Sequence, residues 1–68
     1  MKISRMKVLR KDRGKTIQEV ADVIGIDQSY YSLVENGKRE PSDDIQKKFE
    51  AYFNVSFKKL AEHVKVHI

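Results

Sequence analysis

The residues best suited to directional hydrogen bonding are gathered in the segment from Asp27 to Glu35. If this segment is helical, with about 100° between successive residues, Tyr31 and Val34 fall on one side of it. The opposite side carries small polar and amide side chains with one leucine among them: Gln28, Ser29, Ser32 and Leu33. Such a face is unusual for a merely solvated surface. It is suited to contact with the edges of nucleic-acid bases.

Catalytic and metal-binding chemistry finds little support in the chain. His63 and His67 have the i, i+4 spacing of metal ligands, but no third ligand is evident near them, and we interpret them as solvated histidines near a terminus. Serines, acids and histidines are all present, yet a core this small offers no substrate pocket. We therefore predict no enzymatic activity, no cofactor and no metal site.

Charge is distributed unevenly along the chain, although its net value is only +4. Residues 1–15 contain seven Lys or Arg and one Asp, a local charge of +6, whereas residues 16–36 contain four acidic residues and no Lys or Arg, a local charge of −4. Basic residues neutralise phosphates and supply most non-specific affinity for nucleic acids. The basic segment therefore favours a nucleic-acid partner, with a solvated basic helix as the alternative.

The length of 68 residues limits the chain to a single domain with one small core. We assign residues 1–68 to this domain, with the core at about 3–63 and a tail at 64–68. Since there is no cysteine to form a disulfide, self-association is the expected source of additional stability. Neither a membrane-spanning apolar run nor a signal peptide is recognisable, so we predict a cytoplasmic protein without membrane association.

Two amphipathic helices are predicted before the polar segment. The first runs from about Ile3 to Arg13 and stops at Gly14. The second begins after Thr16, which forms a capping box with Glu19, and it ends at Gly25 in a left-handed conformation. The chain must turn sharply at this glycine before the polar segment begins.

Three further helices complete the predicted order. Asp27 caps the third helix, and Asn36-Gly37 ends it. Ser42 caps the fourth, which ends at a left-handed Asn54 and buries Ile45, Phe49, Tyr52 and Phe53. Ser56 caps the fifth, whose apolar residues at i, i+3, i+4 and i+7 are Phe57, Leu60, Ala61 and Val64. The tail then alternates apolar and polar residues from Val64 to Ile68, which suggests a short C-terminal strand, with a frayed helix end as the alternative.

These elements contain a specific pattern: a capped helix, a glycine turn, a second helix ending in Glu-Asn-Gly, and Pro-Ser four residues after that glycine. The residues that carry it are Gly14-Lys15-Thr16, Val20-Ala21, Gly25-Ile26, Ser29-Tyr30, Val34 to Arg39 and Pro41-Ser42, continuing through Val55-Ser56 and Leu60. The pattern resembles the lambda-repressor-like (Cro/Xre type) family of helix-turn-helix DNA-binding domains. The resemblance covers about Ile3 to His63 and implies a compact, all-α, five-helix domain with its helix-turn-helix at helices 2 and 3.

The resemblance implies that the third helix lies in the major groove of DNA. The positions expected to read bases are Asp27, Gln28, Ser29, Ser32 and Leu33. The Gln28 amide can bond adenine N6 and N7 together, and Leu33 can contact a thymine methyl or be a stray surface leucine. Asp27 either caps the helix or accepts a hydrogen bond from cytosine N4, and we favour capping.

Phosphate contacts are expected from the two edges of the motif and from the first helix: Thr16, Gln18, Asn36, Lys38 and Arg39, with Arg5, Lys11 and Arg13 as weaker candidates. The resemblance also implies a structural ion pair between Arg10 and Glu35, with two independent surface charges as the alternative. Ile17 departs from the family, in which this position is often a glutamine that touches a phosphate.

We therefore predict a homodimeric transcriptional repressor that binds an inverted repeat in double-stranded DNA. The expected dimer surface is the segment from Phe57 to Ile68, with Phe57, Val64, Val66 and Ile68 as its apolar residues. The alternative is a protein-interaction module with the same fold, such as an antitoxin or anti-repressor. The absence of cations between residues 16 and 36 keeps that alternative open.

Overall fold

Short helices build most of the fold in the computed structural model, which describes residues 2–65. The elements in chain order are β1 (Lys2–Ser4), α1 (Arg5–Asp12), α2 (Ile17–Ile24), α3 (Gln28–Glu35), α4 (Asp43–Phe53), α5 (Phe57–Leu60) and β2 (His63–Lys65). The predicted five-helix architecture, with a helix-turn-helix at α2 and α3, is confirmed.

The N-terminal segment differs from the prediction, because the chain begins with a strand where we expected the first turn of a helix. β1 pairs antiparallel with β2, with Ile3 opposite Val64 and Ser4 opposite His63. Ser4 has an extended backbone, and its hydroxyl accepts the Lys7 N–H at 3.2 Å, so α1 begins at Arg5, two residues after the predicted start at Ile3. The C-terminal strand is thereby confirmed for His63–Lys65, whereas residues 66–68, including Val66, His67 and Ile68, lie outside the described residues.

The helix ends around the glycine turn follow the predicted chemistry. The Glu19 N–H donates to the Thr16 hydroxyl at 3.1 Å, and the Thr16 N–H donates to the Glu19 carboxylate at 3.0 Å, which completes the capping box. Gly25 has a φ of 88°, and the N–H groups of Gly25 and Ile26 both donate to the Ala21 carbonyl. This left-handed turn sends α3 across α2 and places half-buried Ile26 against the core.

The last helix is shorter than the pattern of apolar residues suggested. α5 ends at Leu60, so Val64 lies in β2 instead of continuing the helical face. Ser56 occupies the cap position, but its side chain forms no cap hydrogen bond. The Phe57 N–H donates instead to the Glu50 carboxylate of α4 at 2.7 Å. Asn54 is left-handed as predicted, with a φ of 58°.

The core lies between the helices and is formed by nine buried apolar residues: Met6, Val20, Ala21, Ile24, Tyr31, Val34, Phe49, Phe53 and Leu60. Aromatic rings connect three helices within it, since the Phe49 ring centroid lies 5.7 Å from that of Tyr31 and 6.0 Å from that of Phe57. Burial of Tyr31 and Val34 fixes the rotation of α3 and turns its polar side outward. Within residues 2–65, no helix has the length and apolar character needed to cross a bilayer.

Candidate nucleic-acid interface

The outward side of α3 and the first turn of α2 line one shallow groove of about 420 Å³. Its lining residues are Ile17, Gln28, Ser29, Ser32 and Leu33. The fold therefore brings together four of the five predicted base-reading residues. Gln28, Ser29 and Leu33 are exposed, and Ser32 is half-buried. Ile17, which was singled out only as a departure from the family, joins them from the neighbouring helix.

Asp27, the fifth predicted base-reading residue, stands at the start of α3 as its N-cap. Its carboxylate accepts the Ser29 N–H at 2.9 Å, and its backbone is extended. This contact satisfies a backbone donor and places negative charge at the positive end of the helix dipole. Capping is therefore an observed role of Asp27, and base contact stays a prediction.

The loop after α3 offers cations but few free backbone donors. The N–H groups of Asn36, Gly37 and Lys38 donate to carbonyls of Ser32, Val34 and Leu33, and the Asn36 side-chain amide also donates to the Ser32 carbonyl at 2.9 Å. Asn36 was predicted to contact a phosphate, but its backbone and side-chain donors close the end of α3. Lys38 and Arg39 are exposed and keep their predicted role.

Arg39 is positioned by a contact that the sequence did not reveal. Its guanidinium carbon lies 5.3 Å from the centroid of the Tyr30 ring, a cation–π distance. Tyr30 is half-buried and packs against the core, so its ring is a fixed platform for the guanidinium. The charge is thereby held near the first turn of α3, where Gln28 and Ser29 line the groove.

The first turn of α2 contains a negative charge beside the predicted phosphate site. Hydrogen bonds from the Thr16 N–H and hydroxyl hold the pKa of the exposed Glu19 carboxyl below its ordinary value, so the group is ionised at neutral pH. The capping box uses the N–H groups of Thr16 and Glu19 and leaves those of Ile17 and Gln18 at the helix end. A phosphate near exposed Gln18 would meet these donors and also the Glu19 charge.

Arg10 and Glu35 form a buried, bidentate ion pair. The Arg10 Nε and Nη2 groups donate to the two Glu35 carboxylate oxygens at 2.9 and 3.0 Å, and the side chains are 8% and 3% exposed. Arg10 Nη1 also donates to the Lys15 carbonyl at 2.9 Å. The hydrogen bonds with Glu35 raise the pKa of Arg10, while burial raises that of the neighbouring Tyr31 hydroxyl. This pair ties α1, the start of α2 and the end of α3 into one frame.

The geometry is thus that of two capped helices crossing at a left-handed glycine, with an outward polar face on the second. A family model described as helix-turn-helix matches residues 6–63 of the chain. The chain belongs to the lambda-repressor-like (Cro/C1-type) helix-turn-helix family. Its members are DNA-binding transcriptional regulators, which are generally non-enzymatic.

Individual relatives of this helix-turn-helix protein include one bacterial sequence and two solved structures. The uncharacterised HTH-type transcriptional regulator YqaF of Bacillus subtilis (strain 168) is 42% identical over 43 residues, which span 63% of this chain and 57% of that relative. The restriction-modification controller protein C.AhdI from Aeromonas hydrophila gives a TM-score of 0.70 at 28% identity, covering 82% of this chain and 85% of that one. The N-terminal DNA-binding domain of SinR from Bacillus subtilis gives 0.69 at 32% identity, covering 85% and 86%.

Two arginines of this helix-turn-helix protein, both predicted to contact phosphates, have protein partners. Arg13 donates to the carbonyls of Tyr52 and Phe53 at 2.7 and 3.2 Å, and its guanidinium carbon lies 5.3 Å from the centroid of each ring, so it caps the end of α4. Arg5 lies 3.9 Å from the Glu62 carboxylate, and both side chains are largely exposed. We therefore leave Arg13 out of the proposed phosphate contacts, whereas Arg5 and Lys11, which is exposed in the last turn of α1, stay predictions.

His63 is brought next to the cationic loop of the helix-turn-helix, although it follows that loop by about 25 residues in the sequence. Its ring packs over Gly37, where a Cβ would lie 3.6 Å from the ring Cε1. Among the residues that the structure describes, no group of three or more His, Cys, Asp or Glu is arranged to hold a metal ion. His63 is therefore best described as a neighbour of the Lys38–Arg39 segment.

Proposed function

We propose that this protein acts in the cytoplasm as a sequence-specific repressor, which binds an inverted repeat in double-stranded DNA as a homodimer and blocks transcription by occupying the site. The observation that carries the proposal is the exposed groove along α3. A hydrogen-bonding amide, two hydroxyls and a leucine there face outward from a rigid frame. The width of the B-DNA major groove admits one such helix.

The positions of the cations support binding in this orientation. Lys38 and Arg39 lie at the C-terminal end of α3, and Lys11 lies on the basic first helix. Phosphate contacts at the edges of a recognition helix fix its register, while base contacts in the groove supply sequence discrimination. Gln28 is the residue proposed to discriminate most strongly, by a bidentate contact with adenine.

A second copy is proposed because one copy has few cations near the recognition face. Phe57 and Val64 were expected to be spare apolar residues, but each already has contacts within its own protomer. Phe57 packs against the core, and Val64 is half-buried and pairs with Ile3. A two-stranded sheet still has two outer edges at which another strand can add. We therefore place the dimer contact at this sheet and the tail that follows it.

The protein-interaction module remains the second candidate, and one observation favours it. The first turn of α2 carries the ionised Glu19 at the place where a phosphate is expected, and residues 16–36 contain no Lys or Arg. A domain that binds a protein through this surface would not be penalised by that charge. The two functions differ in the dependence of duplex affinity on salt.

Selection of bound duplexes from a random pool, at about 50 mM and about 200 mM salt, tests the proposed function. We expect enrichment of one motif with two-fold symmetry, with half-sites about one helical turn apart, and a steep loss of affinity at the higher salt. Flat and weak binding to every duplex at both salt concentrations would instead support the interaction module. A motif enriched as a single, asymmetric half-site would contradict the homodimer.

A further inference from the structure

We propose that Ile17 takes part in base reading, and that with Leu33 it forms an apolar notch for the 5-methyl group of a thymine next to the base contacted by Gln28. The inference rests on the proposed function and deepens it. It assigns to Ile17 a role in specificity at a position where a polar side chain would contact the DNA backbone.

The two apolar residues come from different helices and meet at the same groove. Ile17 is the first residue of α2, and Leu33 lies in the second turn of α3. The same groove is also lined by the polar residues Gln28, Ser29 and Ser32 of α3. Leu33 is 39% exposed, so its apolar surface is partly open to solvent. An isolated surface leucine needs no explanation, but two apolar side chains lining one polar groove form a shaped apolar surface.

The fold holds the Ile17 side chain and the Leu33 backbone in place. Ile17 is half-buried and packs against the core, and its branched Cβ restricts rotation about χ1. The capping box between Thr16 and Glu19 fixes the turn in which it lies. The Leu33 carbonyl accepts the Lys38 N–H at 2.8 Å, which fixes the end of α3. The Ile17 side of the notch can discriminate between bases because it cannot rearrange to fit each of them.

The methyl group of thymine is the feature of the major groove that suits the apolar side chains of the notch. Isoleucine and leucine have no hydrogen-bonding groups in their side chains, and thymine is the base that presents a methyl group in that groove. A cytosine at the same position has a C5–H where thymine has its methyl group, so the apolar contact would be lost. The notch therefore favours thymine through this one contact.

Replacement of thymine by deoxyuridine tests the inference, because it removes the methyl group and leaves base pairing unchanged. The probe is the duplex selected from the random pool, with each thymine of one half-site replaced in turn. For the wild-type chain, we expect one position at which deoxyuridine weakens binding about fourfold, the effect of withdrawing one methyl group from apolar contact. In Ile17→Ala and Leu33→Ala, the dissociation constant of the deoxyuridine duplex divided by that of the thymine duplex should fall toward one at that position.

Val23→Ala is the matched control, since Val23 is an apolar residue of the same helix that is 66% exposed and lines a different surface, beside Tyr52. It should keep the wild-type ratio. Ile17→Ala could also reduce stability, but each ratio compares two duplexes with one protein preparation, so the folded fraction cancels. Leu33→Ala removes an exposed side chain and gives a second, independent measurement.

The outcomes distinguish this inference from the function on which it rests. A selected motif in which no thymine responds to deoxyuridine overturns the notch and leaves the proposed function intact. A response that persists unchanged in Ile17→Ala overturns the role of Ile17. Failure of the pool to yield any preferred duplex overturns the proposed function, and the notch with it.

Discussion

At the scale of single residues, the recognition segment separates into side chains that stabilise the fold and side chains that are free to bind. The side chains of Asp27 and Asn36 form hydrogen bonds with the backbone at the two ends of α3. Gln28 is exposed on the groove, and Lys38 is exposed beyond the helix end. This division gives each residue a different expected effect on DNA binding.

Substitutions of Gln28 and Lys38 should separate base reading from phosphate contact. We expect Gln28→Ala to lose about 1 to 3 kcal/mol of discrimination at one base position, with little change in affinity for unrelated duplexes. Lys38→Ala should weaken all duplexes alike and reduce the salt slope by about one. Equilibrium titrations with the selected motif and its single-base variants measure both effects. Lys48→Ala, at an exposed lysine of α4, is the control expected to change neither.

The charge of Glu19 should oppose DNA binding, because it lies at the end of α2 where a phosphate is expected. Glu19→Gln keeps an oxygen that can accept the Thr16 N–H and removes the charge. We expect affinity to increase about two- to fivefold at low salt and less at high salt. Asp22→Asn removes a charge from the exposed side of the same helix and should have the smaller effect. Equal gains for the two variants would mean that only net charge matters.

At the scale of elements, sequence and structure agree best at the two ends of α2. The capping box and the left-handed glycine depend on side chains and backbone within five residues of each other, so local pattern is sufficient to predict them. The first turn of α2 also carries a titratable group, Glu19, whose ionisation contributes to stability.

The cap of α2 should make stability fall in acid. Because hydrogen bonds from Thr16 hold the folded-state pKa of Glu19 below its ordinary value of 4.5, the folded chain binds this proton less readily than the unfolded chain does. The stabilisation is therefore present above that ordinary value and is lost as the pH falls through the folded-state pKa. Urea unfolding at a series of pH values should show a flatter profile below about pH 5 for Glu19→Gln than for the wild-type chain. Identical profiles would contradict this role of the cap.

Loss of one partner of the ion pair between α1 and α3 should destabilise the fold more than replacement of both partners by apolar residues. Glu35→Ala leaves Arg10 buried without its counter-charge, and we expect a loss of about 3 kcal/mol in the free energy of unfolding. A domain of this size has a total free energy of unfolding of roughly 3 to 10 kcal/mol, so the variant should be close to unfolding. The double variant Arg10→Met/Glu35→Leu should recover most of the loss, because it buries no charge. If each single variant loses less than about 1 kcal/mol in the free energy of unfolding, and the two losses simply add in the double variant, the residues act independently.

At the scale of the whole molecule, the pairing of the first and last described segments changes how dimerisation should be tested. β2 is held by β1 within one protomer, so removal of residues 63–68 would also disturb the fold. Truncation after Lys65 retains both strands and is the cleaner experiment. Light scattering should show a dimer for the full chain and a monomer for the truncated one.

Circular dichroism is the control for this truncation, since both chains should have the same helical content and similar thermal stability. A truncated chain that stays fully dimeric would exclude residues 66–68 from the contact. If the dimer is lost, binding to a two-half-site duplex should weaken more than binding to a single half-site, because only the former uses both copies.

The sequence by itself determined the number and order of the helices, the caps at Thr16 and Asp27, the glycine turn and the outward polar face of α3. Those features arise from side-chain periodicity and from hydrogen bonds between near neighbours. The first helix was placed too early because Ser4 acts as an N-cap, and because the strand that pairs with Lys2–Ser4 lies about 60 residues away in the chain.

Only the tertiary structure decided which cations are available and which helix completes the groove. Arg13 caps α4 through carbonyls about 40 residues away, Arg39 rests on Tyr30, and Ile17 reaches the groove from α2. Each of these contacts joins elements that local periodicity treats separately. The physical reason is that packing of buried side chains sets the angle and rotation of the helices, and this placement determines which surface residues become neighbours.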